Sequence, residues 1–308
     1  MRIFVTGASG VIGRRVVPQL VAAGHQVSAV VHSPAKHGKL EALGARAVSV
    51  DLFDGTSIAR SVAGHDTVIN LVTHIPHSTA KLLLPGAWRE NDRLRRDTSR
   101  LLVDAAIATG VLRFIQESFA PVYAGQGDAW ITEASPLRPV RYNRTVIDAE
   151  QSAERFARSG GRGIVVRFAG FYGPDSTQLG DMLQSVRRGM LPLPGDPEAY
   201  FSFVSHDDAA AAVVAALSLG SGAYNVVDDD PVTRRVLGDT LAALLGVKPP
   251  RRPIPRWIPR ILGSIGELMS RSQRISNRRL REAGDWRPRY PSIREGLRAT
   301  LEQRRKAA

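Results

Sequence analysis

The chain contains no cysteine, which excludes disulfide bonds and thiolate metal sites. No apolar run approaches the roughly 18 residues that a membrane-spanning helix needs. An apolar strand pattern begins at Ile3, so we expect no signal peptide before it. These absences predict a cytoplasmic protein without a membrane segment.

Lysine is scarce, and arginine therefore supplies nearly all of the positive charge in a chain with a formal net charge of +13. Few aromatic residues alternate with the arginines, and no nucleic-acid-binding module is visible. We interpret the arginines as a solvated surface rather than a nucleic-acid interface. Nucleic-acid binding and the attraction of an anionic substrate are the alternatives.

The first residues carry the strongest positive signal. The β-prone run Ile3–Val5 leads through the three glycines of Gly7–Gly13 into a helical pattern. Such glycines let backbone N–H groups approach a pyrophosphate, which the positive end of the following helix also favours. A second apolar run, Val27–Val31, completes a strand-helix-strand unit. The segment therefore predicts a dinucleotide site.

Strand and helix patterns alternate over the first two thirds of the chain. This alternation predicts an α/β fold, a doubly wound, Rossmann-like parallel sheet formed by residues 1–168 and 203–228. The pattern changes after Gly173-Pro174. We expect residues 169–202 and 229–308 to form a smaller, mostly helical substrate lobe that includes an amphipathic helix over 255–270.

Several segments, spread in order over almost the whole chain, resemble the extended short-chain dehydrogenase/reductase family of the epimerase/dehydratase type. They are the glycine fingerprint that begins at Thr6, Asp51-Leu52, Arg167 with Tyr172-Gly173-Pro174, Ser202 to Asp208, Tyr224-Asn225, and Asn277 with Trp286. The resemblance implies cofactor contacts from Thr6, Gly7, Ser9, Gly10, Val11, Ile12, Gly13, Asp51, Leu52, Leu71, Val72 and Thr73.

The family carries a Tyr-x-x-x-Lys pair on the helix that passes the nicotinamide, and a Ser or Thr that polarises the substrate oxygen. Tyr142 matches the tyrosine, but Val146 stands where the lysine belongs. The resemblance makes Tyr142 and Ser118 the candidate catalytic residues, although Ser118 lies one residue further from Tyr123 than the usual pattern. Thr145 is a candidate hydrogen-bond donor to the ribose; a packing role for Tyr142 is the alternative.

An incomplete proton-transfer apparatus favours hydride chemistry, which the cofactor supplies, over sugar epimerisation, which also moves protons at the same centre. We therefore predict an NADP(H)-dependent ketoreductase that acts on a small non-sugar substrate, aromatic or polycyclic. A nucleotide-sugar epimerase or dehydratase and a non-catalytic NAD(P)-sensing regulator are the alternatives. The family resemblance leaves a monomer and a homodimer open.

The end of the second strand bears on the choice of cofactor. An NAD enzyme usually places an acid there to bind the ribose hydroxyls. This chain has His32 and Ser33 instead, with Arg14 or Lys36 nearby to accommodate a phosphate. The sequence therefore predicts NADP, with NAD as the alternative.

Three other features are weaker candidates. His74 and His77 flank a proline without a nearby acid, so we predict no metal site. Glu117 could act as an acid–base group if it is buried. Trp88 and Trp130 could contact a flat substrate or pack within loops.

Overall fold

The computed structural model describes residues 1–33, 35, 37–76, 85–252, 254 and 257–307 of the chain. The strands of this part, in chain order, are β1 Arg2–Thr6, β2 Gln26–Val31, β3 Arg46–Ser49, β4 Thr67–Asn70, β5 Arg113–Phe119, β6 Trp130–Ile131, β7 Arg162–Phe168, β8 Gly170–Tyr172, β9 Tyr200–Phe201, β10 Phe203–Ser205, β11 Gly222–Val226, β12 Val232–Thr233 and β13 Arg274–Ile275.

Helices connect most of these strands. In chain order they are α1 Gly13–Ala22, α2 His37–Glu41, α3 Gly55–Val62, α4 Arg89–Arg93, α5 Ser99–Ala108, α6 Thr145–Arg158, α7 Thr177–Arg187, α8 His206–Ala215, α9 Arg234–Leu245, α10 Trp257–Ile261, α11 Gly263–Ser270, α12 Arg278–Ala283 and α13 Ile293–Ala307. A π-helical turn, Leu94–Thr98, joins α4 to α5, and 3₁₀ turns lie at Pro85–Trp88, Ala120–Val122 and Arg141–Asn143.

Seven strands form a parallel sheet in the order β11-β7-β5-β4-β1-β2-β3. The chain runs outward from β1 to β3, returns to β4 on the other side of β1, and continues outward to β11. The predicted doubly wound, Rossmann-like α/β fold is confirmed. Ligands of such sheets bind outside the carboxyl ends of the strands where the strand order reverses. Here that point lies between β1 and β4.

Two apolar clusters cover the two faces of the sheet. Successive residues of a strand point to opposite faces, so Val5 of β1 packs with Leu20 of α1 and Val213 of α8, whereas Phe4 packs with Leu102 of α5. All of these side chains are fully buried. Because both faces of the sheet are covered, the carboxyl ends of its strands are the edge at which a ligand site can form.

A third apolar cluster lies in the C-terminal part of the chain. It contains Tyr172, Leu183, Phe201, Leu241 and Leu297. We propose that this cluster is the core of the substrate lobe, with the boundaries stated above. Short strand pairs, β8 with β10 and β9 with β12, accompany the helices of this region.

The sequence predicted one amphipathic helix over 255–270, and this prediction is wrong for the described part of that segment. The helix α10 ends at Ile261 and α11 begins at Gly263. Gly263 has a φ of 55°, which a continuous right-handed helix does not accommodate. The two helices contact each other, and α11 also contacts the turn Arg141–Asn143.

A buried arginine fixes the end of α11. Arg234 has no exposed surface, and its Nη2 donates to the carbonyl oxygens of Met269 and Arg271, at 2.7 and 2.8 Å. Its Nη1 donates to the carbonyl of Ala199 at 2.9 Å. Burial lowers the pKa of Arg234 to about 10. A positively charged guanidinium is favourable at the negative, C-terminal end of a helix. Its hydrogen bonds connect the end of α11 to Ala199, the residue before β9.

Candidate active site

The glycine turn after β1 brings the backbone of two loops into close contact. Gly7 has a φ of 67°, and a Cβ there would lie 2.5 Å from the carbonyl carbon and oxygen of Leu71. A Cβ on Gly13 would lie 2.2 Å from the Gly7 oxygen. The turn thus leaves no room for side chains beside β4, which fits a pyrophosphate held by backbone groups.

The N-terminus of α1 carries no competing anion. Its first turn contains no acidic residue, and its N-cap, Ile12, has no side-chain hydrogen bond. Thr6, at the end of β1, is fully buried and donates its hydroxyl to Asn70 Oδ1 at 2.6 Å. This hydrogen bond joins the carboxyl ends of β1 and β4 next to the predicted dinucleotide site.

The other predicted cofactor residues follow the carboxyl ends of neighbouring strands. Their exposure differs: Leu71 is buried; Ser9, Ile12, Ser33, Leu52, Val72 and Thr73 are half-buried; and Gly10, Val11, His32 and Asp51 are exposed. Lys36 lies outside the described residues. The contacts of these residues with a cofactor stay a prediction. The residues all follow the carboxyl ends of the strands, the edge at which ligands of doubly wound sheets bind.

A buried amide orients the loop that follows β4. Asn91 of α4 is fully buried, and its Oδ1 accepts a hydrogen bond from the backbone N–H of His74 at 3.0 Å. His74 faces Glu90, with Nδ1 and Oε2 3.7 Å apart. His77 lies outside the described residues. Among the residues that the structure describes, no group of three His, Cys, Asp or Glu side chains could hold a metal ion.

Tyr142 lies in the 3₁₀ turn Arg141–Asn143, just before α6, and not within the regular helix. Its half-buried ring packs on Trp88, with ring centroids 4.8 Å apart and planes at 57°. Burial raises the pKa of Tyr142 well above its usual value, against the smaller effects of Arg95 and Arg271. Tyr142 is therefore a neutral phenol near pH 7.

No ammonium group stands one helical turn beyond Tyr142. Val146 occupies that position and is completely buried. Thr145, the predicted ribose ligand, donates its hydroxyl to Asp92 Oδ1 at 2.8 Å. Near the start of α6, Tyr142 therefore offers its phenol, whereas the Thr145 hydroxyl already donates to Asp92 of α4.

Ser118 has a partner that the sequence does not reveal. Its hydroxyl donates to Glu150 Oε1 of α6. Glu150 also accepts two hydrogen bonds from Arg167, at 2.8 and 2.6 Å, and Arg167 Nη1 donates to the Tyr123 hydroxyl at 2.6 Å. The catalytic role of Ser118 stays a prediction, because its hydroxyl would have to leave Glu150 to reach a substrate.

This network ties together the ends of three strands. Tyr123 donates its hydroxyl to Asn225 Oδ1 of β11 at 2.8 Å, and burial raises its pKa to about 12. Arg167 of β7 and Glu150 are both almost fully buried. The sequence had marked Arg167 and Asn225 only as parts of family motifs. Their partners lie far along the chain, and sequence spacing does not indicate them.

Glu117 is buried, as its candidate role requires, and it is paired with Arg95. Arg95 Nε and Nη2 both donate to Glu117 Oε1, at 3.2 and 3.1 Å. Arg95 was not among the candidates that the sequence offered. It lies in the π-helical turn Leu94–Thr98, which departs from the 3.6-residue period, so helical spacing does not mark Arg95 as a buried residue.

Ion pairs join the glycine turn to the C-terminal part of the chain. Arg14 and Arg15 at the start of α1 both reach Asp175, at 2.5 and 2.6 Å, and Arg15 also reaches Asp207 at 2.7 Å. Asp207 is in the first turn of α8, beside the buried His206. The start of α1 is therefore connected by charge to Asp175 and to α8, and α1 also packs against α8.

His206 gives this connection a pH dependence. Burial and then Arg15 lower the pKa of His206 from 6.5 to about 4. Between pH 6.5 and 4 the unfolded chain binds a proton at this position that the folded chain does not. The free energy of unfolding is therefore unaffected by His206 above pH 6.5 and decreases as the pH falls from 6.5 to 4. We expect a loss of about 3 kcal/mol from this residue. Urea unfolding at several pH values measures it, and a His206→Asn variant that keeps the full slope would contradict it.

Comparison with known proteins agrees with this geometry. A model of the NAD dependent epimerase/dehydratase family matches residues 3–226. The 3-diazoavenalumate denitrifying reductase of a Streptomyces species is 33% identical over 96% of this chain and 99% of its own. A 4-hydroxy-2-methyl-3-oxo-4-farnesyl-3,4-dihydroquinoline-1-oxide ketoreductase of Stigmatella aurantiaca is 28% identical over 88% of this chain and 81% of its own.

A solved structure has the same fold over the whole length. MoeE5 in complex with UDP-glucuronic acid and NAD superposes with a TM-score of 0.79, at 25% identity and with complete coverage of both chains. A doubly wound sheet with a glycine turn at its reversal point is typical of dinucleotide-binding proteins. This chain belongs to the NAD dependent epimerase/dehydratase family, and it is an NAD(P)-dependent oxidoreductase. Among the described helices, none is long and apolar enough to cross a membrane.

Proposed function

We propose that this chain is an NADP(H)-dependent reductase that delivers hydride to the carbonyl carbon of a small non-sugar substrate, aromatic or polycyclic. One observation carries the proposal. Tyr142 is a neutral phenol packed on Trp88, while the position of the lysine is taken by a buried valine, Val146. Such a site can give a proton to a reactive carbonyl, and it lacks the ammonium group that the family places one helical turn after the tyrosine.

The chemical step divides between cofactor and protein. The bound nicotinamide supplies the hydride. Tyr142 Oη gives its proton to the carbonyl oxygen as the new C–H bond forms, and the phenolate regains a proton from water. A ketone that is already polarised, for example by an internal hydrogen bond, needs only this one weak donor.

The aromatic contact supports a flat substrate. The rings of Trp88 and Tyr142 form a tilted pair in which Trp88 is buried and Tyr142 is half-buried. The exposed part of the Tyr142 ring could therefore stack with an aromatic ligand or meet its edge. The ketoreductase of Stigmatella aurantiaca acts on a quinoline derivative by its name. We take the same class of bicyclic or polycyclic ketone as the first set of substrates for this chain.

A diazo compound is the second candidate acceptor. The relative with 33% identity is a denitrifying reductase of 3-diazoavenalumate by its name. When hydride adds to the carbon of an aryl diazonium ion, the C–N bond breaks and N₂ leaves, so no protein acid is required. The absence of an ammonium group at Val146 favours such an acceptor.

The test is oxidation of NADPH by the purified protein with a panel of acceptors. The acceptors are aromatic and polycyclic ketones and an aryl diazonium salt. UDP-glucose is incubated separately with protein and oxidised cofactor, and its sugar products are analysed, because epimerisation and dehydration return the hydride to the sugar and consume no NADPH. We expect turnover with at least one ketone and a fall of roughly 100-fold in the Tyr142→Phe variant. Turnover with the diazonium salt alone, insensitive to that substitution, would establish the second candidate. Turnover of UDP-glucose alone, or of no acceptor in the panel, would contradict the proposal.

The preference for NADP leads to a second prediction, at the end of β2. Ser33 is half-buried there and carries no negative charge. In Ser33→Asp, the new carboxylate would repel a 2′-phosphate and accept hydrogen bonds from the ribose hydroxyls of NAD. We expect NADPH to bind roughly 10- to 100-fold more weakly, a change of about 1.4 to 2.7 kcal/mol, while NADH binds more tightly.

Calorimetric titration of both cofactors measures the effect, with Ser33→Ala as the matched neutral variant. Ser33→Ala should change the two affinities by similar, small amounts. If the wild-type protein binds NADH as tightly as NADPH, or if Ser33→Asp leaves their ratio unchanged, the assignment of NADP is wrong.

A further inference from the structure

One helical face of the segment Pro85–Thr98 lies along the start of α6. Trp88 packs on Tyr142, and Asp92 accepts the hydrogen bond from Thr145. Arg95 follows Asp92 by three residues, and such a spacing places the two residues on the same helix face. Arg95 therefore belongs to the row of side chains that this segment turns toward the candidate catalytic residues.

Arg95 is held inside the protein. Its side chain is only 6% exposed, and both of its bonds to Glu117 meet the same oxygen, Oε1. Arg95 lies in the π-helical turn Leu94–Thr98, and such turns occur often at functional sites, where they change the direction of side chains. Glu117 precedes Ser118 at the end of β5. The guanidinium thus lies at the end of β5, and the π-helical turn that carries Arg95 contacts α6.

Two arginines act on the Tyr142 phenol. Arg95 and, to a smaller extent, Arg271 favour its phenolate against the larger effect of burial on the pKa. Arg271 gives Nη1 to the carbonyls of Tyr123 and Arg138, at 3.0 and 2.6 Å, and Nη2 to Glu267 at 2.9 Å. Arg95 instead has Glu117 as its partner, whose negative charge offsets part of its effect.

We propose that Arg95 supplies the positive charge that Val146 does not, and that it stabilises the negative charge on Tyr142 Oη when the phenol gives its proton to the substrate oxygen. Glu117 keeps the guanidinium in place. Arg95 is thus a positioning and electrostatic residue for the reaction, presented by a different helix from the one that carries the tyrosine. The inference deepens the proposed function and rests on it for its meaning in catalysis.

The decisive experiment does not depend on turnover. Tyr142 is replaced by 3,5-difluorotyrosine, whose phenol ionises near neutral pH, and its titration is followed by ¹⁹F NMR. A charge several ångströms away in a partly buried site is worth about one pH unit. We expect Arg95→Met to raise the titration midpoint by about one pH unit and Arg95→Lys to restore most of that shift. Arg96→Met is the matched control, because Arg96 is exposed and pairs with Asp97.

A midpoint that is equal in the parent and in a folded Arg95→Met variant would overturn the inference. If Arg95→Met does not fold, Glu117→Gln decides: loss of the offsetting charge should lower the midpoint, and an unchanged midpoint would contradict the inference. With a ketone that is turned over, Arg95→Met should lower kcat roughly 10-fold with little change in KM. The double variant with Tyr142→Phe should be no slower than Tyr142→Phe alone. Wild-type protein that reduces no ketone would refute the proposed function, whereas the titration would still test Arg95.

Discussion

Gly7→Ala is expected to abolish binding of the nicotinamide cofactor, with an affinity loss of roughly 100-fold or more, about 2.7 kcal/mol. Two physical reasons act together. The φ of 67° at Gly7 disfavours any L side chain, and the added Cβ would lie 2.5 Å from the carbonyl group of Leu71. The loop after β1 would have to move away from β4. The backbone N–H groups that would meet the pyrophosphate would move with it.

Fluorescence or calorimetric titration with NADPH measures this effect, and circular dichroism verifies that the variant is folded. Gly180→Ala is the matched control, because Gly180 lies in helix α7 with no atom within 4 Å of its added Cβ. We expect that control to bind like the wild type. A folded Gly7→Ala protein with unchanged affinity would show that the cofactor does not use this turn.

Arg167→Met is expected to lower the free energy of unfolding by about 3 to 5 kcal/mol. The substitution would leave the carboxylate of Glu150 buried without a cation and would remove the donor to the Tyr123 hydroxyl. It would also disturb the acceptor of Ser118. Three strand ends at the candidate site depend on this one guanidinium, so local order there should fall as well.

Urea unfolding gives the free energy for this test. Arg155→Met is the matched control on α6, because Arg155 makes an exposed pair with Asp104 at 2.7 Å and should cost less than about 1 kcal/mol. The double variant Glu150→Gln/Arg167→Met should recover part of the loss, since the buried charge is gone. Equal costs for Arg167→Met and Arg155→Met would contradict a structural role for the buried network.

The architecture could be predicted because its signals are local. A glycine turn followed by a helix, and short apolar runs separated by amphipathic helices, depend on neighbours within one or two turns of the chain. The runs Ile3–Val5 and Val27–Val31 are the strands Arg2–Thr6 and Gln26–Val31 in the structure. The predicted helix over 255–270 is interrupted for a local reason too, because Gly263 adopts a positive φ of 55°.

The candidate site was harder to predict, because its contacts join residues that are distant in the sequence. Ser118 looked like a free hydroxyl next to the active site, but its acceptor, Glu150, lies 32 residues away. Arg95 looked like one of many surface arginines. The π-helical turn and the partner on β5 bury it, and neither follows from the composition of the helix. By contrast, the sequence itself shows valine and not lysine at position 146, and the structure adds that the Val146 side chain is fully buried.

Direct transfer of hydride from a nicotinamide bound at the glycine turn is the central claim. It is tested by turnover with NADPH that carries deuterium at the transferable position of the ring, in ordinary water, with mass analysis of the product. We predict one deuterium on the reduced carbon in each product molecule and none when the label is in the solvent. Product that carries solvent deuterium on that carbon, or no consumption of NADPH with any acceptor, would contradict the account.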